Sequence, residues 1–250
     1  MPSTADATSH AVAELPAWYH TIELPGGVIT PGFVDWRKHA AKVLPDDLSG
    51  TRALDVGTFD GFWAFEMEKR GAEVVAIDVD RLEHAEWPPV HRAHLQADVD
   101  ARGVELGHGF RLAHRELGSS VQRVVCSVLD LTPEAIGGPV DLAFIGAVLI
   151  HLRDPVRGLE RIHDALRPGG RLIAVESVSL RNTVLHPRAP IARFDTVTGP
   201  FNWWLPNLRA LHHYLWSAGF VGSERLGFYR PPAKAEMRAW YCGITARTTD

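Results

Sequence analysis

Leu54-Asp55-Val56-Gly57-Thr58-Phe59-Asp60-Gly61-Phe62 is the stretch that decides the fold. A short apolar run over 53–56 ends at Gly57, and helical spacing opens at Gly61 and continues to Arg70. Strand, glycine turn and helix therefore follow one another directly. The next apolar run, 73–77, closes on Asp78, which comes 23 residues after Asp55. In a doubly wound sheet this is where a carboxylate grips a ribose diol, while the N–H groups opening the helix form an electropositive rim. A pyrophosphate-binding turn needs Gly-x-Gly-x-x-Gly, but here Phe59 holds the middle glycine position and Asp55 and Asp60 flank the turn. Two carboxylates repel a pyrophosphate and suit a ligand bearing an ammonium or sulfonium charge. The turn points away from a dinucleotide and toward S-adenosylmethionine.

Outward from the turn, strands and helices keep alternating. Further strands are expected at 123–128, 140–145 and 172–178, with helices over 104–117 and 155–166. Asp154 caps the second of these helices, and Arg167-Pro168-Gly169-Gly170 stops it. Residues 180–200 read as an inserted loop holding Arg181, His186, Arg188 and Arg193; a helix over 208–218 and strands over 220–228 and 240–246 follow. The expected fold is α/β: a doubly wound, mainly parallel seven-stranded sheet with one antiparallel hairpin partner at the end. Residues 1–50 read as an irregular lead-in and cofactor lid, with 1–10 a loose tail. Residues 51–250 form the binding domain with a lid loop at 180–205.

The chain resembles the class I S-adenosylmethionine-dependent methyltransferases over roughly Gly50 to Arg247. Asp55-Val56-Gly57 with Gly61 is similar to the family's first motif, Asp78 to its ribose-binding acid, and Ser127-Val128-Leu129-Asp130 to its adenine-contacting turn. The resemblance implies S-adenosylmethionine as cofactor, held by Asp55, Gly57, Thr58, Phe59, Gly61, Asp78, Val79, Ser127, Val128, Leu129 and Gly146. A narrower likeness joins Phe144 through Pro155, Asp35-Trp36-Arg37 and Trp203-Trp204-Leu205-Pro206 to the enzymes that alkylate the wobble uridine of tRNA with carboxy-S-adenosylmethionine. Ile150 stands where that group carries a tyrosine of its carboxylate-binding set.

Methyl transfer requires a held nucleophile and, for a protonated one, a base. His151, just beyond the fourth strand, is the first catalytic candidate and His186 the second; a helix-start histidine and a solvated loop histidine are the alternatives. The lid and substrate candidates are His20, Trp36, Arg181, Arg193, Trp203 and Trp204. The arginines could bind an anion or simply be solvated, and the aromatics could form a wall or merely pack. His84, His91, His94 and His108 lack metal-ligand spacing, so no metal is expected.

In 250 residues, 26 Lys+Arg stand against 30 Asp+Glu, a net charge of −4. That balance gives no broad basic face, so the expected acceptor is an oxygen or nitrogen of a small molecule, with no nucleic-acid partner. A wobble-uridine-type methyltransferase and a non-methylating binding protein or cyclase are the alternatives. The longest apolar run, 142–150, is too short for a bilayer, and Cys126 and Cys242 read as reduced thiols of a cytoplasmic protein. The oligomeric state is left open.

Overall fold

The computed structural model describes residues 4–103, 105–195 and 201–249. Before the glycine turn come α1 (Thr4–Glu14), the short hairpin β1 (Glu23–Leu24) and β2 (Val28–Ile29), and one turn of helix, α2 (Ala40–Val43). The alternation then runs β3 (Arg52–Val56), α3 (Phe62–Glu68), β4 (Glu73–Asp78), α4 (Pro89–Arg102), α5 (His108–Leu117) and β5 (Gln122–Val125). It continues with β6 (Val140–Gly146), α6 (Pro155–Ala165) and β7 (Leu166–Ser177). The remainder is α7 (Leu180–Leu185), β8 (Ala192–Phe194), β9 (Trp204–Pro206), α8 (Leu208–Ser217), β10 (Val221–Tyr229) and β11 (Tyr241–Arg247).

Seven strands form one sheet in the order β10-β11-β7-β6-β3-β4-β5. β3 pairs in parallel with β4 and β6, β4 with β5, and β6 with β7, whereas β11 runs antiparallel to both β7 and β10. The strand order reverses between β3 and β6, which opens a crevice at their C-terminal ends. The seven-stranded doubly wound sheet is as the sequence predicts.

Parallel strands covered on both faces must be apolar throughout, and Ala143, Phe144 and Ile145 of β6 are all fully buried. One face carries an aromatic layer that includes Trp18, Trp36, Phe62, Trp63, Phe110 and Phe144. The other is aliphatic, with Ile145 of β6, Leu159 and Ile162 of α6, and Leu211 and Leu215 of α8.

Three expectations change. Residues 4–14 are helical rather than a loose tail, because Val12 is buried and Thr8 Oγ1 donates to Glu116 Oε2 at 2.6 Å across to α5; Met1–Ser3 lie outside the described residues. The helix expected over 104–117 starts at His108, as α5, and a separate helix that the sequence did not predict, α4, precedes it. Gly103 (φ 62°) ends α4 and Gly107 (φ 76°) opens α5, both left-handed, and Val104 lies outside the described residues. The expected loop 180–200 contains α7 and β8, and β8 pairs antiparallel with β9 beyond it; 196–200 lie outside the described residues. As expected, Asp154 caps α6, accepting the Arg157 N–H at 3.0 Å.

Candidate active site at the C-terminal edge of the sheet

β3 leaves the sheet at Val56 and turns on Gly57, whose φ is 72°. A Cβ there would lie 2.4 Å from Cγ2 of Val148, so the space this glycine leaves is filled by the protein and not by a ligand. Phe59, in the middle glycine position of the turn, still takes the left-handed conformation with φ 49°. That conformation is disfavoured for a non-glycine residue by about 1–2 kcal/mol. Its N–H donates to Asp78 Oδ2 at 2.7 Å, which holds it there, and the Val79 N–H donates to Asp78 Oδ1 at 2.7 Å. Each carboxylate oxygen keeps a further lone pair, so a diol can still be accepted. Burial pushes the Asp78 carboxyl above the ordinary carboxylate range, against the pull of the two N–H groups and of Arg123.

Asp55 is 2% exposed, and its Oδ2 has no partner among the described residues; neither has the buried hydroxyl of Thr58. Burial pushes the Asp55 carboxyl up to about 7. Two unsatisfied acceptors beside an electropositive turn suit a ligand that brings N–H donors, and the ammonium of a methionine moiety brings three. Asp60 does not share this task, contrary to the reading of a flanking pair. Its Oδ2 accepts the N–H groups of Tyr19 (2.8 Å) and His20 (2.7 Å), and its Oδ1 pairs with His20 Nδ1 at 2.5 Å. His20 is accordingly buried, with its ring stacked on Phe62 at 5.3 Å.

Beyond Asp78 a cleft of about 580 Å³ is lined by Val79, Cys126, Ser127, Leu129 and Asp130 on the sheet side and by Glu86, Trp87, Arg153 and Trp203 opposite. Ser127 caps the turn Val128–Asp130, its hydroxyl accepting the Leu129 N–H at 3.3 Å. Val128 itself is buried in the aliphatic layer below. Gly146 ends β6, one residue before left-handed Ala147 (φ 55°).

His151 closes the turn Leu149–His151, half-buried, with Nδ1 2.9 Å from the Phe201 carbonyl oxygen. A carbonyl only accepts, so Nδ1 carries the hydrogen and Nε2 is the basic nitrogen. Burial holds this imidazole below its ordinary pKa, partly offset by the hydrogen bond to Phe201. Segment 201–206 reaches over the cleft mouth: Trp203 Nε1 donates to the Glu86 carbonyl, Trp204 Nε1 to the Arg153 carbonyl at 3.0 Å, and the Phe201 and Trp87 rings meet at 5.0 Å.

The other lid candidates scatter. Trp36 is core, 3% exposed and edge-on to Tyr241 at 5.0 Å. Arg193 pairs with Asp195 at 3.0 Å. Arg181 and Arg188 are exposed, and His186 is an exposed residue capping the end of α7, away from the cleft lining. Among the described residues, no group of three or more His, Cys, Asp or Glu side chains could hold a metal ion, and no helix is long and apolar enough to cross a membrane.

Sequence reasoning missed Glu176 of β7, fully buried, and the tyrosines Tyr19 and Tyr241 near it. The signal for Glu176 was available: a carboxylate inside the apolar run 172–178.

A switch-point crevice with an acid ending the second parallel strand and unsatisfied acceptors at its turn is consistent with the S-adenosylmethionine-dependent methyltransferases. A family described as "Methyltransferase domain" matches residues 32–224, and the chain belongs to it. Among curated relatives, a tRNA U34 carboxymethyltransferase of Azotobacter vinelandii is 31% identical over 192 residues, 75% of this chain and 50% of that protein. A protein of the same name from Stutzerimonas stutzeri is 30% identical over 226 residues, 88% of this chain and 61% of its own. The chain thus spans about half the length of the first relatives it matches.

Solved structures agree in fold. Burkholderia thailandensis 1,6-didemethyltoxoflavin-N1-methyltransferase, bound to S-adenosylhomocysteine, superposes with TM-score 0.53 at 21% identity, covering 85% of this chain and 80% of that one. Human N-acetylserotonin methyltransferase in complex with SAM gives TM-score 0.53 at 19% identity, covering 86% and 53%. The relatives correct one expectation: proteins named for a tRNA substrate are similar to this chain, so net charge was no ground for setting nucleic acid aside. Net charge averages over a surface, whereas a polyanion needs only a local cationic face.

Proposed function

We propose that this chain is a tRNA-modifying methyltransferase, acting on an oxygen or nitrogen of a base presented at the C-terminal edge of the sheet. The observation that carries the reading is the likeness to tRNA U34 carboxymethyltransferases across three quarters of the chain. Exposed Arg153 at the cleft, and exposed Arg181 and Arg188 in the inserted segment, support it as phosphate contacts.

When bound, S-adenosylmethionine supplies an electrophilic methyl carbon. Asp78 would hold the ribose hydroxyls, Asp55 and Thr58 the methionine ammonium, and Ser127 and Leu129 the adenine end. His151 would take the acceptor's proton at Nε2, and the segment carrying Trp203 would exclude water. Cys126 and Cys242 are free thiols, which supports a reducing, cytoplasmic setting.

The test incubates the protein with S-adenosylmethionine and unmodified tRNA, followed by nucleoside mass spectrometry. The expected result is a nucleoside heavier by one methylene, S-adenosylhomocysteine in equal amount, and tRNA affinity that falls steeply with salt. In parallel, Asp78→Ala should weaken cofactor binding in calorimetry by about 10–100-fold, the worth of hydrogen bonds to a charged group. Release of S-adenosylhomocysteine with a small-molecule acceptor and never with tRNA would overturn the acceptor class. An Asp78→Ala variant binding like wild type would overturn the site.

A further inference from the structure

One carboxyl group in the crevice has no part in the roles above. Glu176 sits near the end of β7, paired across to Cys242 of β11, and none of its surface reaches solvent. Its Oε1 accepts two consecutive backbone N–H groups, Val148 at 3.0 Å and Leu149 at 3.1 Å. Its Oε2 has no partner among the described residues.

The two donors belong to the segment that opens the turn Leu149–His151, where the first N–H groups of any helical turn lack an acceptor of their own. The chain enters that segment through Ala147, left-handed with φ 55°, a conformation that persists only where its surroundings hold it. Immediately after, Val148 packs into the space left by Gly57. One side chain thus ties β7 to the turn that touches the cofactor loop at one end and carries His151 at the other. An apolar residue at this point in the strand would avoid burying a carboxyl group, which is costly unless the group has partners.

We propose that Glu176 is a positioning residue: as a hydrogen-bond acceptor it fixes the turn 147–151, keeping Val148 on Gly57 and His151 with Nδ1 on the Phe201 carbonyl. The interest of this for catalysis rests on the proposed function, in which His151 takes the proton. The pinning itself does not depend on it.

Glu176→Gln keeps an oxygen acceptor, whereas Glu176→Met keeps the volume and removes it. Hydrogen exchange of the Val148 and Leu149 amides and the tautomer of His151, read by long-range ¹H–¹⁵N correlation, need no acceptor substrate. In wild type and Glu176→Gln both amides should be protected like those of β7, and His151 should carry its hydrogen on Nδ1. In Glu176→Met the two amides should exchange about 100-fold faster, from the loss of two hydrogen bonds, and the single tautomer should be lost.

Unprotected Val148 and Leu149 amides in wild type would overturn the proposal without any variant, so a Glu176→Met protein that fails to fold does not shield it. Unchanged exchange in Glu176→Met, or a Glu176→Gln variant as loosened as Glu176→Met, would overturn it as well. A chain that shows these exchange differences but binds no S-adenosylmethionine would sink the proposed function and leave the positioning role standing.

Discussion

His151, the base in the proposed function, is set by two neighbours, the turn that carries it and the Phe201 carbonyl that takes its Nδ1 hydrogen. Because burial lowers its pKa, the neutral base survives below pH 6.5, the ordinary imidazole value. The acid limb of the kcat profile should therefore lie below pH 6.5, and a limb at or above that value would assign it to another group. His151→Ala should lower kcat by about 10²–10⁴-fold and flatten that limb. Phe59 teaches a different lesson at the same scale. Glycine is absent there, yet the backbone keeps the left-handed path, because the Asp78 carboxylate holds the N–H in place.

Among the elements, the N-terminal segment is the one whose character the structure changes most. It is strapped to the first turn of the fold by Asp60, 1% exposed, which takes two backbone N–H groups and the His20 ring. Asp60→Ala would leave those donors buried and unpaired, at about 3 kcal/mol. In a chain of this size that corresponds to a loss of roughly 6–12 °C in Tm. Limited proteolysis should find new cleavage between Glu14 and Ile22; an Asp60→Ala protein with unchanged Tm and no new cleavage would show that aromatic packing alone holds the segment. The lid at 201–206 is tied differently, through carbonyls of Glu86, Ile150 and Arg153, so it ends on loops rather than on the sheet.

For the molecule as a whole, burial raises the pKa of Asp78 and, furthest, of two other acids, Asp55 to about 7 and Glu176 to about 8. Tyr19 and Tyr241 face Glu176 with their own pKa values raised, again chiefly by burial, so they add no charge near neutrality. Each acid keeps its proton in the folded chain at a pH where the unfolded chain, near 4, has lost it. The folded state then binds more protons, and stability falls as pH rises toward the folded values. Between pH 6.5 and 8 the loss should be on the order of 2 kcal/mol, read by urea denaturation at the two pH values. Glu176→Gln should remove most of that slope. A stability that rises over this interval in wild type would show that the two acids are ionised in the folded chain.

The alternation of strand and helix, the glycine turn and the cap at Asp154 were all legible because each depends on residues close together in the chain. Local geometry dictates them whatever surrounds them. The roles of Asp60, Glu176 and Trp36 were not legible, since each is set by partners brought in from other elements: Tyr19 and His20 for the first, Val148 and Leu149 for the second, Trp63 and Tyr241 for the third. A carboxylate beside a turn reads the same whether it faces a ligand or a strap. Only folding decides which N–H groups reach it, and in a buried crevice that choice sets both its charge and its task.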